Sequence, residues 1–205
     1  MTTGGEGGMV TTNDKALWKR MWAFKDHGKS WDAVYEREHP PGFRWLHESF
    51  GTNWRMTEMQ AVIGRIQLQR MTQWHQQRIG YAEKIWSTAR GLPGLRVPDI
   101  DDDIEHGAYK AYVFVKPEEL VEGWDRDRIQ QAIVGADIPC FSGSCSEVYL
   151  EKAFDKTGLR PEQRLPVARE LGESSLMFLV HPTLTVQEIQ KTCRVLRDVM
   201  AEATK

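Results

Sequence analysis

The 205-residue chain is predicted to be an α/β protein, and three observations predict it. Residues 111–115, Ala-Tyr-Val-Phe-Val, alternate in the manner of a half-buried strand. Residues 176–180, Leu-Met-Phe-Leu-Val, form a continuous apolar run of the length of a buried strand. Around these two runs, apolar residues recur at helical spacing in several separate segments.

The chain opens on a glycine-rich stretch. Gly4, Gly5, Gly7 and Gly8 flank Glu6, and a β-type run, Met9 to Thr12, follows. Glycine serves where φ is positive or where backbone must approach something closely. The stretch therefore reads either as a tight loop beside a ligand or as a flexible start. Asn13 or Asp14 then caps a helix carrying Leu17, Trp18, Met21, Trp22 and Phe24 on one face. It ends near His27-Gly28. Residues 28–52, with Pro40-Pro41-Gly42 inside, read as a long irregular loop, a length usually reserved for function or docking. Thr57 begins the longest helix, which runs to about Ala89 and spans roughly 45–50 Å at 1.5 Å per residue, long enough to bridge two domains. Gly91-Leu92-Pro93-Gly94 closes it.

A small α/β domain is expected next. The 111–115 strand leads to a helix capped by Asp125 with Ile129, Ala132 and Ile133 inside. Pro161–Leu171 is predicted helical, with proline near its first turn. After the second strand, Thr185 and Glu188 have capping-box spacing. The last helix places Val186, Ile189, Cys193, Leu196 and Met200 on one stripe.

Composition narrows the function classes. A formal charge of −2, from 27 basic and 29 acidic residues, argues against a nucleic-acid-binding surface. The eight tryptophans are better read as buried or interface aromatics than as base-stacking platforms. Cys140, Cys145 and Cys193 form no CxxC pair, which fits a reducing compartment. Cys140 and Cys145 are read as two buried thiols on a loop. Six scattered histidines carry no metal-binding spacing. No signal-peptide pattern and no membrane-length apolar run is seen, so a cytoplasmic location is expected.

Two motifs in order then carry a resemblance. The first is Thr2-Thr3-Gly4-Gly5-Glu6-Gly7-Gly8, an apolar run and Asn13-Asp14. The second is His47, then Gly51-Thr52-Asn53-Trp54-Arg55-Met56, then Gln60-Ala61-Val62-Ile63-Gly64 and Gln67-Leu68. Together they resemble the C-terminal portion of the DegT/StrS family of pyridoxal phosphate (PLP)-dependent sugar aminotransferases. One extra glycine departs from the family's commonest form. The less specific pieces His106-x-x-Tyr109 and Val180-His181-Pro182-Thr183-Leu184-Thr185 extend the likeness toward the end of the chain.

The resemblance implies the C-terminal part of a fold-type-I architecture. Residues 1–56 would be a remnant of the PLP-binding large domain, 57–90 a bridging helix and 91–205 the small α/β domain. It implies transfer of an amino group, usually from glutamate, to a nucleotide-linked keto sugar in amino-sugar or surface-polysaccharide synthesis. The lysine that carries the cofactor is expected upstream of Met1, so no catalytic residue is assigned within the chain, which is expected to be inactive alone. Asn53 is implied to reach the phosphate of a partner subunit's PLP, or else to serve as a helix or turn cap just before Thr57. Glu6 and Gly7 would border the cofactor loop, although Glu6 has a second reading as a local backbone brace. Arg55 would hold a substrate phosphate or pair with a carboxylate. His47, His106 and Tyr109 would face the sugar nucleotide, the histidines having a structural reading as well. The expected partners are a second subunit or a companion N-terminal part, the nucleotide sugar and an amino donor. The competing class is a truncated, non-catalytic α/β binding or interaction module.

Overall fold

The computed structural model describes residues 4–42 and 44–204, so Thr2 and Thr3 of the first motif lie outside the described residues. The chain divides into two compact units between Met71 and Thr72, and the structure is mixed α/β.

In the first unit, Asp14 rather than Asn13 caps α1 (Lys15–Lys25). Its Oδ1 accepts from the Ala16 and Leu17 amides at 2.8 and 3.0 Å. The β-type run Met9–Thr12 joins no sheet. The expected irregular loop contains a short helix, α2 (Trp31–Tyr35), capped by Ser30. Five residues are too few for a periodic signal. What makes them helical is tertiary: Trp18 and Trp22 of α1 meet the Trp31 ring at 4.8 and 5.2 Å, edge to face. The Lys19–Asp32 ion pair joins the same two helices.

Helix α3 (Glu58–Arg90) has 33 residues, about 50 Å of helix. Thr57 and Gln60 close its start, with the Thr57 amide donating to Gln60 Oε1 at 3.0 Å. Its buried residues all fall from Arg78 onward. In the first half Met59, Val62, Ile63 and Ile66 are exposed.

In the second unit the sheet order is β1-β2-β4-β3, all antiparallel. The strands are β1 (Leu95–Arg96), β2 (Ala111–Val115), β3 (Cys140–Phe141) and β4 (Ser175–Phe178). Along β2, Ala111, Val113 and Val115 are buried and their neighbours are not, as the alternation predicts. Ala111 stands opposite Phe178 and Val113 opposite Leu176. Tyr81, Ala82, Ile85, Trp86 and Ala89 of α3 join one core with Ile129 and Ile133 of α4 (Arg126–Gly135). Ile189, Cys193, Leu196 and Met200 of α6 (Val186–Ala203) complete it. Val186, at the first helical position, is 41% exposed and falls off the expected stripe. The Thr185–Glu188 capping box is formed.

Helix α5 (Pro166–Ser174) begins five residues later than predicted. Pro166, not Pro161, takes the first turn. The intervening residues are held in turn structure: Arg160 Nε donates to the Tyr149 carbonyl at 2.8 Å, and the Leu165 amide donates to the Tyr149 hydroxyl at 2.9 Å. No described helix is long and apolar enough to cross a membrane.

Candidate functional site

Asn53 and Arg55 sit on an exposed turn that α1 anchors from behind. The backbone of 52–54 runs along the end of α1, with the Thr52 amide donating to the Phe24 carbonyl at 2.7 Å and the Trp54 amide to the Lys25 carbonyl at 3.0 Å. Asn53 thereby forms a β-bridge with Asp26. Two glycines permit this approach. At Gly28, φ is +83° and an added Cβ would stand 1.7 Å from the Ser49 carbonyl oxygen. At Gly51 it would stand 2.4 Å from the Gly28 nitrogen.

Asp26, which sequence reasoning missed, organises the polar groups of this turn. It is buried, with Lys29 Nζ and Arg55 Nε each 3.6 Å from Oδ1 and His27 Nδ1 at 3.1 Å. Burial alone would push its carboxyl pKa up. The His27 hydrogen bond and the Lys29, Arg55 and Lys25 charges outweigh that and hold it below the usual value. Arg55 Nε also donates to Asn53 Oδ1 at 3.3 Å. The carboxamide oxygen is thus engaged within the turn, which leaves the Nδ2 amide as the group of Asn53 that can donate. Thr57 and Gln60 close the start of α3, so the local alternative for Asn53 is a turn cap rather than a cap of that helix.

The other expected residues fall in different surroundings. The Glu6 carbonyl accepts from Gln60 Nε2 at 2.8 Å, while Glu6 itself is exposed. A Cβ at Gly7 would meet Met56 Cε at 3.0 Å, so Gly7 lies against the end of the Met56 side chain. His47 is exposed and bridges Lys29 through its backbone. His106 and Tyr109 belong to the second unit. His106 Nδ1 accepts from the Ala108 amide at 3.1 Å, its carbonyl meets His75 Nε2 at 2.9 Å, and its ring packs edge-on against Trp86. These contacts brace a turn in which Ala108 has φ +43°. Tyr109 is exposed, and its carbonyl faces Arg78.

The expectation of two buried thiols at 140–145 is corrected. Cys140 is buried in β3, where desolvation pushes its pKa up to about 12, whereas Cys145 is exposed on the following loop. That loop is braced by Glu147, which accepts from Arg164 Nε at 2.9 Å and from the Tyr149 hydroxyl at 2.6 Å. The Arg164 hydrogen bond, then that of Tyr149, lowers the Glu147 pKa from 4.5 to about 2. A carboxyl whose folded pKa is depressed contributes stability that is complete above its unfolded pKa and disappears as pH falls through the folded one. Urea midpoints of the native protein and Glu147→Gln should therefore differ at neutral pH and converge between about pH 4.5 and 2. A gap that does not change with pH would contradict this assignment.

A four-stranded antiparallel sheet backed by helices, with a long helix that follows a Gly-x-Asn-x-Arg turn, has the architecture of the fold-type-I aminotransferases. Residues 1–197 match the DegT/DnrJ/EryC1/StrS aminotransferase family, and the chain belongs to that family. The chain is 60% identical to an aminotransferase from Psychrobacter cryohalolentis of known structure, with a TM-score of 0.91 over 98% of this chain and 53% of that one. It is 26% identical over 181 residues to the erythromycin biosynthesis sensory transduction protein EryC1 of Saccharopolyspora erythraea, covering 88% of this chain and 44% of that protein. It is 34% identical over 94 residues to the dTDP-3-amino-3,4,6-trideoxy-alpha-D-glucose transaminase of Streptomyces venezuelae, covering 46% and 22%. The chain spans about half the length of the longest-matching of these relatives.

Proposed function

We propose that this chain supplies the C-terminal part of a PLP-dependent aminotransferase that moves an amino group from an amino acid, glutamate in our reading, to a nucleotide-linked keto sugar. The observation that carries this is the exposed Asn53–Arg55 turn, fixed on buried Asp26, in which Arg55 Nε meets both Asn53 Oδ1 and the Asp26 carboxylate. These groups fit a phosphate: the amide donates without adding charge, and the guanidinium adds a charge-assisted donor. When bound, PLP supplies the electron sink and the carrier for the amino group. In this reading Asn53 orients the phosphate of a partner subunit's cofactor, and Arg55 holds a phosphate of the substrate. Glu6 and Gly7 border the cofactor loop, and His47, His106 and Tyr109 face the sugar nucleotide. Residues 1–56 serve as large-domain remnant, 57–90 as bridging helix and 91–205 as small domain. Relatives named as a dTDP-sugar transaminase and a GDP-perosamine synthase support the substrate class.

In this reading the cofactor-bearing lysine belongs to polypeptide outside these residues, and the assembly acts in the cytoplasm as a dimer. The exposed apolar side chains Met59, Val62, Ile63 and Ile66 support a covering partner, since contiguous exposed apolar surface commonly marks an interface. Borohydride reduction of the purified chain mixed with PLP should give no stoichiometric adduct at a single lysine. A specific one-lysine adduct would overturn the assignment and place the cofactor's attachment within the chain. The second reading, a non-catalytic binding module, predicts in addition that no polypeptide carrying the cofactor lysine assembles with this chain.

A further inference from the structure

Asp26 lies outside both sequence motifs, yet the Asn53–Arg55 turn is tied to its side chain. It follows α1 as the capping residue, and its own amide donates to the Ala23 carbonyl at 3.2 Å. On either side of it, the His27 amide donates to the Thr52 carbonyl and the Trp54 amide to the Lys25 carbonyl, each at 3.0 Å. These two bonds set Asp26 opposite Asn53 in an antiparallel bridge. Residues opposite one another in such a bridge project to the same face, and so do residues two apart along an extended chain. The contacts agree: Arg55 Nε is 3.6 Å from Asp26 Oδ1 and 3.3 Å from Asn53 Oδ1. Trp54, the residue between, instead packs its ring edge-on against Phe24 at 5.2 Å.

The three side chains thus run in the order Asp26, Arg55, Asn53. A carboxamide has two ends of opposite character. With Arg55 Nε on its oxygen, Asn53 offers its Nδ2 donor. Rotated by half a turn it would offer an acceptor, which repels the oxygens of a phosphate. Arg55 selects the orientation of Asn53 that can bind a phosphate, and Asp26 selects the position of Arg55. Asp26 suits that task, being 7% exposed and ionised at neutral pH. Lys29 Nζ stands 3.6 Å from the same carboxylate oxygen. Without the carboxylate, Lys29 and Arg55 would repel one another, and the half-exposed Arg55 would turn toward solvent.

We propose that Asp26 is a positioning residue for the phosphate site: it holds Arg55 and, through Arg55, the donor orientation of the Asn53 carboxamide. The phosphate role rests on the transamination reading, whereas the hold of Asp26 on the two side chains does not. An acid near a phosphate site acts in two opposed ways. Its charge repels the phosphate, and its grip on Arg55 strengthens binding. The sign of the Asp26→Asn effect tells which wins.

The first measurement needs no cofactor. In the full chain, Asp26→Asn keeps the side-chain shape and removes the charge. It should shift the Asn53 carboxamide resonances to the positions they take in Arg55→Ala. Resonances that stay at their native positions would overturn the relay. Should Asp26→Asn not fold, Asp26→Ser takes its place with the same expectations. The second measurement uses the dimer assembled with the lysine-bearing polypeptide. There Asp26→Asn should weaken PLP binding about tenfold, and should add nothing once Arg55→Ala is present, as for residues that act through one network. Equal weakening in both backgrounds would make Asp26 a brace of the fold, and tighter PLP binding would make repulsion its main effect; either result sinks the proposal. If Asn53→Ala leaves PLP affinity unchanged, the transamination reading of this turn fails and takes the phosphate role with it, while the resonances still decide the relay.

Discussion

Alanine in place of Gly28 should unseat the turn that carries Asn53 and Arg55. The residue holds φ +83°, and the new Cβ would stand 1.7 Å from the Ser49 carbonyl oxygen and 2.6 Å from its carbon. Both neighbours are backbone, so no side-chain rotation relieves the overlap. The Gly28 carbonyl also accepts from the Glu48 and Ser49 amides at 3.0 and 3.2 Å, so a displaced residue 28 loses those bonds. A non-glycine residue in the left-handed region costs about 1–3 kcal/mol, and overpacking adds about 1–3 kcal/mol. The expected loss is therefore about 2–6 kcal/mol, visible as a lower urea midpoint for the first unit. Gly64→Ala is the control. Nothing lies within 4 Å of its added Cβ, and the change should stabilise the helix by up to about 1 kcal/mol. Equal effects from both substitutions would refute the close-packing account of Gly28.

Phe178→Ala should destabilise the second unit by about 3–5 kcal/mol, the range for deleting a buried aromatic ring. Phe178 is 1% exposed and stands in β4 between Ala111 of β2 and Cys140 of β3. The two small neighbours cannot swell to fill the space it would vacate. Against a total stability of about 5–15 kcal/mol typical of such domains, the loss is large. Phe141→Ala, at a ring 45% exposed on β3, should cost much less. Guanidinium melts of the two variants, followed by far-ultraviolet circular dichroism, would separate them. Equal losses would mean that Phe178 is not a core residue in solution.

The parts of the fold that were legible in the sequence are those whose own residues carry enough periodic pattern. Helices α1, α3, α4 and α6 each bury a recurring apolar set or carry a side-chain cap, and both longer strands, β2 and β4, stood out by alternation or apolar run. Strands β1 and β3 have two residues each, too few for any period, and exist because β2 and β4 offer edges to pair with. Helix α2 was hidden because its signal is the Trp18–Trp31 and Trp22–Trp31 contacts, which no local window contains. Two prolines five residues apart, Pro161 and Pro166, offered equivalent helix starts, and only the Tyr149–Arg160 hydrogen bonds choose between them.

Legibility of the site followed the same division. The Gly51-x-Asn53-x-Arg55 motif was readable because its residues stand close together in the chain. Asp26 was not. Its importance comes from meeting Lys29 and Arg55 across a turn that Gly28 and Gly51 allow, and nothing in the Lys25-Asp26-His27 stretch marks it as different from a solvated charge. The Cys140–Cys145 segment misled in one respect: two cysteines five residues apart occupy a strand and an exposed loop, because β3 ends at Phe141.

The central claim is that Asn53 donates to a cofactor phosphate rather than holding the fold. The most direct measurement is the PLP dissociation constant of Asn53→Ala in the dimer assembled with the lysine-bearing polypeptide, taken together with the melting temperature of the apo variant. Loss of one hydrogen bond to a charged group is worth about 1.5–3 kcal/mol, so affinity should fall about ten- to a hundredfold with the apo melting temperature nearly unchanged. Unchanged PLP affinity, with a lower apo melting temperature, would contradict the account and leave Asn53 as a structural residue of the Asp26 turn.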